Sequence, residues 1–188
     1  PSSDALVYVQ DRGGDENWHV YRVDLPSGDV RDLTPFENVH ALPVRAEPTR
    51  PDELVVAVND RDPSYHDYYV VDVATGERTL LVRNDRFGEI VVDADFRPRL
   101  AIEATPEGGF VVHRADESGA FVPWREVGPE DALTTDIVEV EAGGTRVWMT
   151  DAHERDTAAL VEWDLADDSM RVLAEDPRCD ASDVLPHP

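Results

Sequence analysis

The sequence predicts an all-β protein of the β-propeller type, built from four four-stranded antiparallel blades. Three observations carry that expectation. A strand-and-turn unit recurs four times; its strands are apolar on both faces; and almost nothing in the chain has helical periodicity. The first unit, Ala5–Thr34, reads LVYVQ, a polar loop, HVYRVDL, the turn Pro26-Ser27-Gly28-Asp29, then VRDLT. The second, Leu54–Val82, reads LVVAV, a polar loop, YYVVDV, the turn Ala74-Thr75-Gly76-Glu77, then RTLLV. The third, Leu100–Val127, reads LAIEA, a Gly-rich loop, FVVHRA, the turn Glu117-Ser118-Gly119-Ala120, then FVPWREV. The fourth, Thr145–Ala174, reads TRVWMT, a polar loop, ALVEWDL, the turn Ala166-Asp167-Asp168-Ser169, then MRVLA. Aligning Leu6, Leu54, Leu100 and Val147 gives steps of 48, 46 and 47 residues. A period in the forties with several short strands per unit is a blade signature.

Each element has a local reason. Leu54-Val55-Val56-Ala57-Val58 and Tyr69-Val70-Val71 lack the in/out alternation of a one-sided sheet and require cover on both faces. Without helices, that cover must be other sheets. Only Asp131–Leu133, after Gly128-Pro129, reads as a single helical turn. Gly28, Gly76 and Gly119 stand where a tight hairpin needs positive φ, and Asp168 takes that place in the fourth unit. Pro35, Pro43, Pro63, Pro98 and Pro177 are expected at connections rather than inside strands.

Between the three-strand units lie candidates for a first, inner strand: Val39–Ala46, Glu89–Phe96, Asp136–Glu141 and, last, Ala181–Leu185. The expected organisation is one propeller-type domain over residues 1–188, with units at about 5–34, 39–83, 89–127 and 136–175 and a final strand at 181–185. On this reading the chain begins at strand two of one blade and ends at strand one of another. The last strand could then complete the first blade, or the offset could reflect an uninterrupted parent protein. Two chains could also join as a homodimeric eight-bladed ring. The opening Pro1-Ser2-Ser3-Asp4, without Met, is what a piece of a longer protein would show.

Composition narrows function. Of 188 residues, 41 are acidic and 17 basic, every base is Arg, and the net charge is −24. Such self-repulsion is screened at molar salt, where the Debye length falls to about 3 Å. The expectation is a halophilic, cytoplasmic protein. No basic stripe is present to neutralise phosphates, so neither nucleic acid nor an acidic membrane surface is an expected partner. No apolar run approaches the roughly 18 residues of a membrane span, and no secretion signal opens the chain. The single Cys179 excludes an internal disulfide.

The order of the elements resembles the propeller of the prolyl oligopeptidase family, in its acylaminoacyl-peptidase and dipeptidyl-aminopeptidase branch. The likeness rests on Asn59-Asp60-Arg61-Asp62, His66-Asp67-Tyr68-Tyr69-Val70-Val71-Asp72 and Thr75-Gly76-Glu77. It continues through Asp93-Ala94-Asp95-Phe96-Arg97-Pro98-Arg99-Leu100-Ala101, Asp156-Thr157-Ala158-Ala159-Leu160, Ala174-Glu175-Asp176-Pro177 and Asp180. The resemblance implies a propeller that caps an α/β-hydrolase domain carrying a Ser-Asp-His triad and limits entry to short peptides. It transfers no catalytic residue here. The nucleophile elbow needs Gly-x-Ser-x-Gly between a strand and a helix, and the chain contains no such string. The expected partners are therefore the hydrolase domain of a parent chain and peptide substrates. The other function class open to the sequence is a stand-alone interaction scaffold of the TolB-like or WD40-like kind.

Several residues invite chemistry and are weighed against plainer roles. Asp60, Asp62, His66 and Asp67 are the most metal-like group, but they lack the central Gly and closing Glu of a calcium loop, and a solvated acidic loop is the expectation. His153-Glu154 opens like a zincin helix, yet Thr157 stands where the second His is needed. Asp151, Glu154, Arg155 and Asp156 read as a surface charge loop. Glu103 and Glu162, each flanked by apolar residues, are expected to face a channel or pair with Arg rather than act as acid and base. Trp148 and Trp163 read as blade-packing residues, while Trp18 and Trp124 lie outside those two strand patterns. Neighbouring acids disfavour a reactive Cys179. No catalytic, cofactor-binding or metal-ligating residue is assigned, and no cofactor is expected.

Overall fold

The computed structural model describes residues 4–185 and contains only strands, turns and loops among them. The first sheet holds β1 (Ala5–Gln10), β2 (His19–Asp24) and β3 (Val30–Asp32). The second holds β4 (Ala41–Ala46), β5 (Glu53–Asp62), β6 (Tyr65–Asp72) and β7 (Arg78–Val82). The third holds β8 (Glu89–Val92), β9 (Pro98–Ala104), β10 (Phe110–Ala115) and β11 (Phe121–Val127). The fourth holds β12 (Asp136–Val140), β13 (Arg146–Asp151), β14 (Ala159–Asp164) and β15 (Ser169–Ala174). Every neighbouring pair is antiparallel and the strands of each sheet follow chain order. Four such meanders in succession make the β-propeller fold.

The chain divides into two compact units, one up to Arg86 and one from Phe87. In the first unit Val20 and Leu33 pack with Ala41, Leu54, Val56, Val58 and Val71 in one apolar cluster. In the second, Leu100 and Val112 pack with Val140, Val147, Met149, Ala159 and Val161. Each unit is thus a pair of sheets stacked face to face. Val55, Val56, Ala57 and Val58 are all at most 1% exposed, so both faces of β5 are covered. That is what the unbroken apolar run required.

The tight turns follow the sequence closely. Gly28, Gly76 and Gly119 have φ of 77°, 76° and 83°, and Asp168 has 61°. An acid at each strand end holds the turn. Asp24 Oδ1 accepts from the Ser27 amide and hydroxyl, and Asp72 Oδ1 from those of Thr75. Asp116 Oδ1 accepts from the Ser118 amide and hydroxyl and from the Ala120 amide. These donors favour the charged form. Hydrogen bonds from Ser27 to Asp24, from Thr75 to Asp72 and from Ser118 to Asp116 hold those carboxyls below the ordinary range.

Three inner strands form close to where they were expected. β8 stops at Val92, before Phe96, because Asp93 Oδ1 takes the amides of Asp95 and Arg97 and folds the chain into a turn with Phe96 at φ 61°. Asp131 makes one isolated turn through the Thr134 and Thr135 amides. The strand expected at Ala181–Leu185 is not formed, and the first sheet has three strands. Asp180 and Ala181 are tied to Ala158 instead, through Oδ1 and the amide, and Asp183 at φ 52° interrupts any extended run. Two prolines also depart from expectation: Pro98 opens β9, and Pro43 lies inside β4. β4 is the first strand of its sheet and shifts register between Pro43 and Arg45, where a missing N–H is tolerated.

Candidate functional site

The two ends of each sheet differ in kind. In the four-stranded sheets the second-to-third strand connections lie at one end and the tight Asp-held turns between third and fourth strands at the other; in the three-stranded first sheet the Asp24-held turn joins the second and third strands. The second sheet is the most elaborated at the first of these ends. Its β5–β6 hairpin runs on to Asp62↔Tyr65, beyond the main register that ends at Val58↔Asp67. This extension carries most of the residues singled out by the sequence.

At its base is an ion pair whose acid is buried. The Asp67 side chain is 4% exposed and accepts two bonds from Arg61, Nε to Oδ2 at 2.9 Å and Nη2 to Oδ1 at 2.8 Å. The buried Asn84 amide adds a third bond to Oδ1 at 2.8 Å. Burial pushes the Asp67 pKa up, but the Arg61 and Asn84 donors outweigh it and hold the carboxyl below its usual range. Arg61 also donates to the Asn84 carbonyl at 2.7 Å and meets Asp85 at 2.7 Å. With Nε, Nη1 and Nη2 all engaged, Arg61 is a clamp between the hairpin and the segment after β7. It offers no open fork to a ligand carboxylate.

The rest of the extension is more exposed. The Tyr69 hydroxyl donates to Asp60, and burial followed by that acid pushes its pKa up to about 12. Asp62 caps the Ser64 amide at 2.9 Å. His66, partly buried, turns Nε2 toward Nδ1 of the exposed His40 at 3.3 Å, with the ring planes at 80°. Asn59 Oδ1 accepts the His40 amide and fixes the approach of that segment. Burial first, and the neighbouring His40 second, lower the His66 pKa and favour its neutral, lone-pair-bearing form. Asp60, Asp62, His66 and Asp67 therefore take four separate partners instead of converging. Among the described residues no group of three or more His, Cys, Asp or Glu is placed to hold a metal ion.

The other candidates resolve into packing. Glu103 Oε2 meets Nε2 of the buried His113 at 2.9 Å. Glu162 accepts from Trp148 Nε1 at 3.1 Å and Arg171 at 2.9 Å. Trp163 packs on the second unit's core, edge-on to Trp124 at 5.7 Å, with the Arg125 guanidinium 4.1 Å from its ring centre. Asp151 is not part of a surface loop: it is 4% exposed at the end of β13, facing Arg125 from β11 at 3.6 Å. Arg155 pairs with Glu175 at 2.7 Å. His153 lies in the turn after β13, bonded through its amide to Asp151. Cys179 is exposed. No helix among the described residues is long and apolar enough to cross a membrane.

Sequence reasoning missed three members of the clamp end: Asn84, Asp85 and His40. Asn84 and Asp85 follow β7 in a turn whose partners lie in an earlier hairpin. His40 stands 26 residues from His66. No local spacing links them; only strand register does.

Four all-β meanders in succession define a propeller-type domain. No protein-family model matches the chain. It is 39% identical over 186 residues to dipeptidyl aminopeptidase BIII of Pseudoxanthomonas mexicana, covering 98% of this chain and 27% of that protein. Its fold resembles TolB from Acinetobacter baumannii (TM-score 0.61, 13% identity, 92% of this chain and 42% of that one). It also resembles a prolyl endopeptidase (TM-score 0.55, 13% identity, 94% and 29%). The chain spans about a quarter of the curated relative's length. By sequence the chain is similar to a dipeptidyl aminopeptidase, and by fold to TolB and a prolyl endopeptidase, over only part of each protein's length.

Proposed function

We propose that this chain is the non-catalytic section of a serine peptidase of the acylaminoacyl- or dipeptidyl-peptidase type, and that it controls which substrates reach the catalytic centre. The reading rests on one observation. A relative named as a dipeptidyl aminopeptidase matches 98% of the chain at 39% identity, while the match takes up only 27% of that relative. The remaining length of such a protein has room for an α/β-hydrolase domain with the triad that this chain's sequence lacks.

The mechanism is steric. Blades held rigid by buried, two-sided strands form a wall, and a passage through or beside it passes short peptides and excludes folded protein. Arg61, Asp67 and Asn84 belong to that wall as a brace. We also place the protein in a salt-rich cytoplasm, a reading supported by its net charge of −24 and by basic residues that are all Arg. The scaffold reading has only the TolB likeness behind it, and at 13% identity that likeness speaks for the fold alone.

The test uses two proteins in molar potassium chloride. The 188-residue chain should not hydrolyse chromogenic acyl-amino-acid or dipeptide substrates. A polypeptide extended through the native reading frame should cleave those substrates and short peptides, and should spare folded proteins. Hydrolysis by the chain that survives repurification would overturn the non-catalytic assignment. Equal cleavage of folded and short substrates by the longer protein would overturn the gating.

A further inference from the structure

We propose that His40 and His66 form a two-imidazole binding site for a divalent transition cation of the Zn2+, Ni2+ or Cu2+ class. The site lies at the β5–β6 hairpin end of the second sheet, beside the clamp made by Arg61 and Asp67. His40 Nδ1 and His66 Nε2 are 3.3 Å apart. Two ligands about 2.0–2.1 Å from a tetrahedral ion stand about 3.3–3.4 Å from each other. The observed separation is the bite of such a pair.

The chemistry agrees with the distance. Two facing imidazole nitrogens offer two lone pairs, and a single proton between them can use only one as acceptor. A cation uses both. The exposed His40 ring is free to tilt so that both lone pairs meet at one point. Imidazole selects borderline transition ions, while Mg2+ and Ca2+ prefer oxygen. The support behind the rings is already built: Asn59 Oδ1 holds the His40 amide, and His66 sits in β6, whose next residue is the clamped Asp67. Water or a ligand atom would fill the remaining positions, so the ion is exchangeable. Its effect is to tie the segment entering β4 to the β5–β6 hairpin.

The experiment is a Cu2+ titration of the purified protein in molar salt, read by calorimetry and electron paramagnetic resonance. A Zn2+ titration read by thermal unfolding runs beside it. High salt suppresses loose attraction of cations to surface carboxylates. The expected result is one Cu2+ per chain with hyperfine coupling from two imidazole nitrogens, not displaced by excess Mg2+. His40→Ala and His66→Ala should each weaken binding at least tenfold and leave one coupled nitrogen. His153→Ala should bind as the parent does. Zn2+ should raise the unfolding temperature of the parent and not of His40→Ala. His40 is exposed, so that variant keeps the test valid if His66→Ala fails to fold. Absence of binding, carboxylate-only coordination, or unchanged affinity in His40→Ala would overturn the proposal.

Discussion

Replacing Asp67 tests whether the clamp, and not the strands alone, holds the β5–β6 hairpin. In Asp67→Ala the Arg61 guanidinium loses two charge-assisted bonds, and the Asn84 amide, in a residue 2% exposed, loses its acceptor. Breaking a fully buried pair costs about 3–5 kcal/mol. Arg61 is 31% exposed and keeps Asp85 and the Asn84 carbonyl, so the ion-pair part is smaller here. The stranded amide adds about 1–3 kcal/mol. The expected total is about 3 kcal/mol, a fall in Tm of roughly 6–12 °C for a chain of this size. Asp67→Asn keeps one acceptor oxygen for the amide but gives up the charge and turns the atom facing Arg61 Nε into a donor, so it should cost about 2 kcal/mol, less than Asp67→Ala. Thermal and urea unfolding at fixed molar salt measure both. The double variant Arg61→Ala/Asp67→Ala should lose at least about 1 kcal/mol less than the sum of the singles, because each single strands its partner. Losses under about 0.5 kcal/mol in both Asp67 variants, or strict additivity in the cycle, would refute the clamp.

Other outcomes follow from the same geometry. Gly109→Ala should be among the most damaging single changes, because a Cβ there runs into the backbone carbonyl of Val127; its loss of stability should exceed about 2 kcal/mol in urea unfolding. Gly28→Ala meets no atom within 4 Å but must hold φ near 77°, so it should cost about 1–2 kcal/mol from backbone conformation alone. Acidification in molar salt should unfold the protein. Asp24, Asp67, Asp72 and Asp116 have folded pKa values below their unfolded ones, so their contribution is complete above about pH 4 and is lost as pH falls through the folded values. Circular dichroism across pH 7 to 2 should show that loss, and Asp116→Asn should make it shallower. Raising potassium chloride from about 0.1 M to above 1 M should raise Tm, as the Debye length shrinks from about 10 Å to 3 Å around a chain of net charge −24; a Tm independent of salt would remove the support for a halophilic origin.

What could be read from the sequence was whatever a short window fixes. Gly28, Gly76, Gly119 and Asp168 announce a backbone conformation that few other residues adopt, and each stands at positive φ. The run from Leu54 to Val58 announces burial on both faces because no alternation is left to expose. The failures have the opposite character. Ala181–Leu185 contains residues suited to a strand, but Asp180 had already been claimed by the Ala158 amide. Asp151 looked like surface charge because nothing in its own segment shows that Arg125 arrives from β11. Glu103 and Glu162 look alike in sequence, and the neighbours they meet, His113 for the first and Trp148 and Arg171 for the second, come from adjacent strands.

The candidate site follows the same division. One member of each contact is visible in the sequence: Asp67, His66 and Asp60 belong, with Asp62, to its most metal-like group. Their true partners are Arg61 with Asn84, His40, and Tyr69. A cluster of like charges close in sequence is driven apart by its own repulsion, and each acid is drawn to a donor supplied by another strand or loop. In a chain with 41 acids and 17 bases, every well-placed Arg is scarce. Spending all three nitrogens of Arg61 on Asp67, Asp85 and the Asn84 carbonyl therefore marks this hairpin as one that must keep its shape. A rigid rim is what the proposed selection by size demands, since a wall that yields to a folded substrate selects nothing.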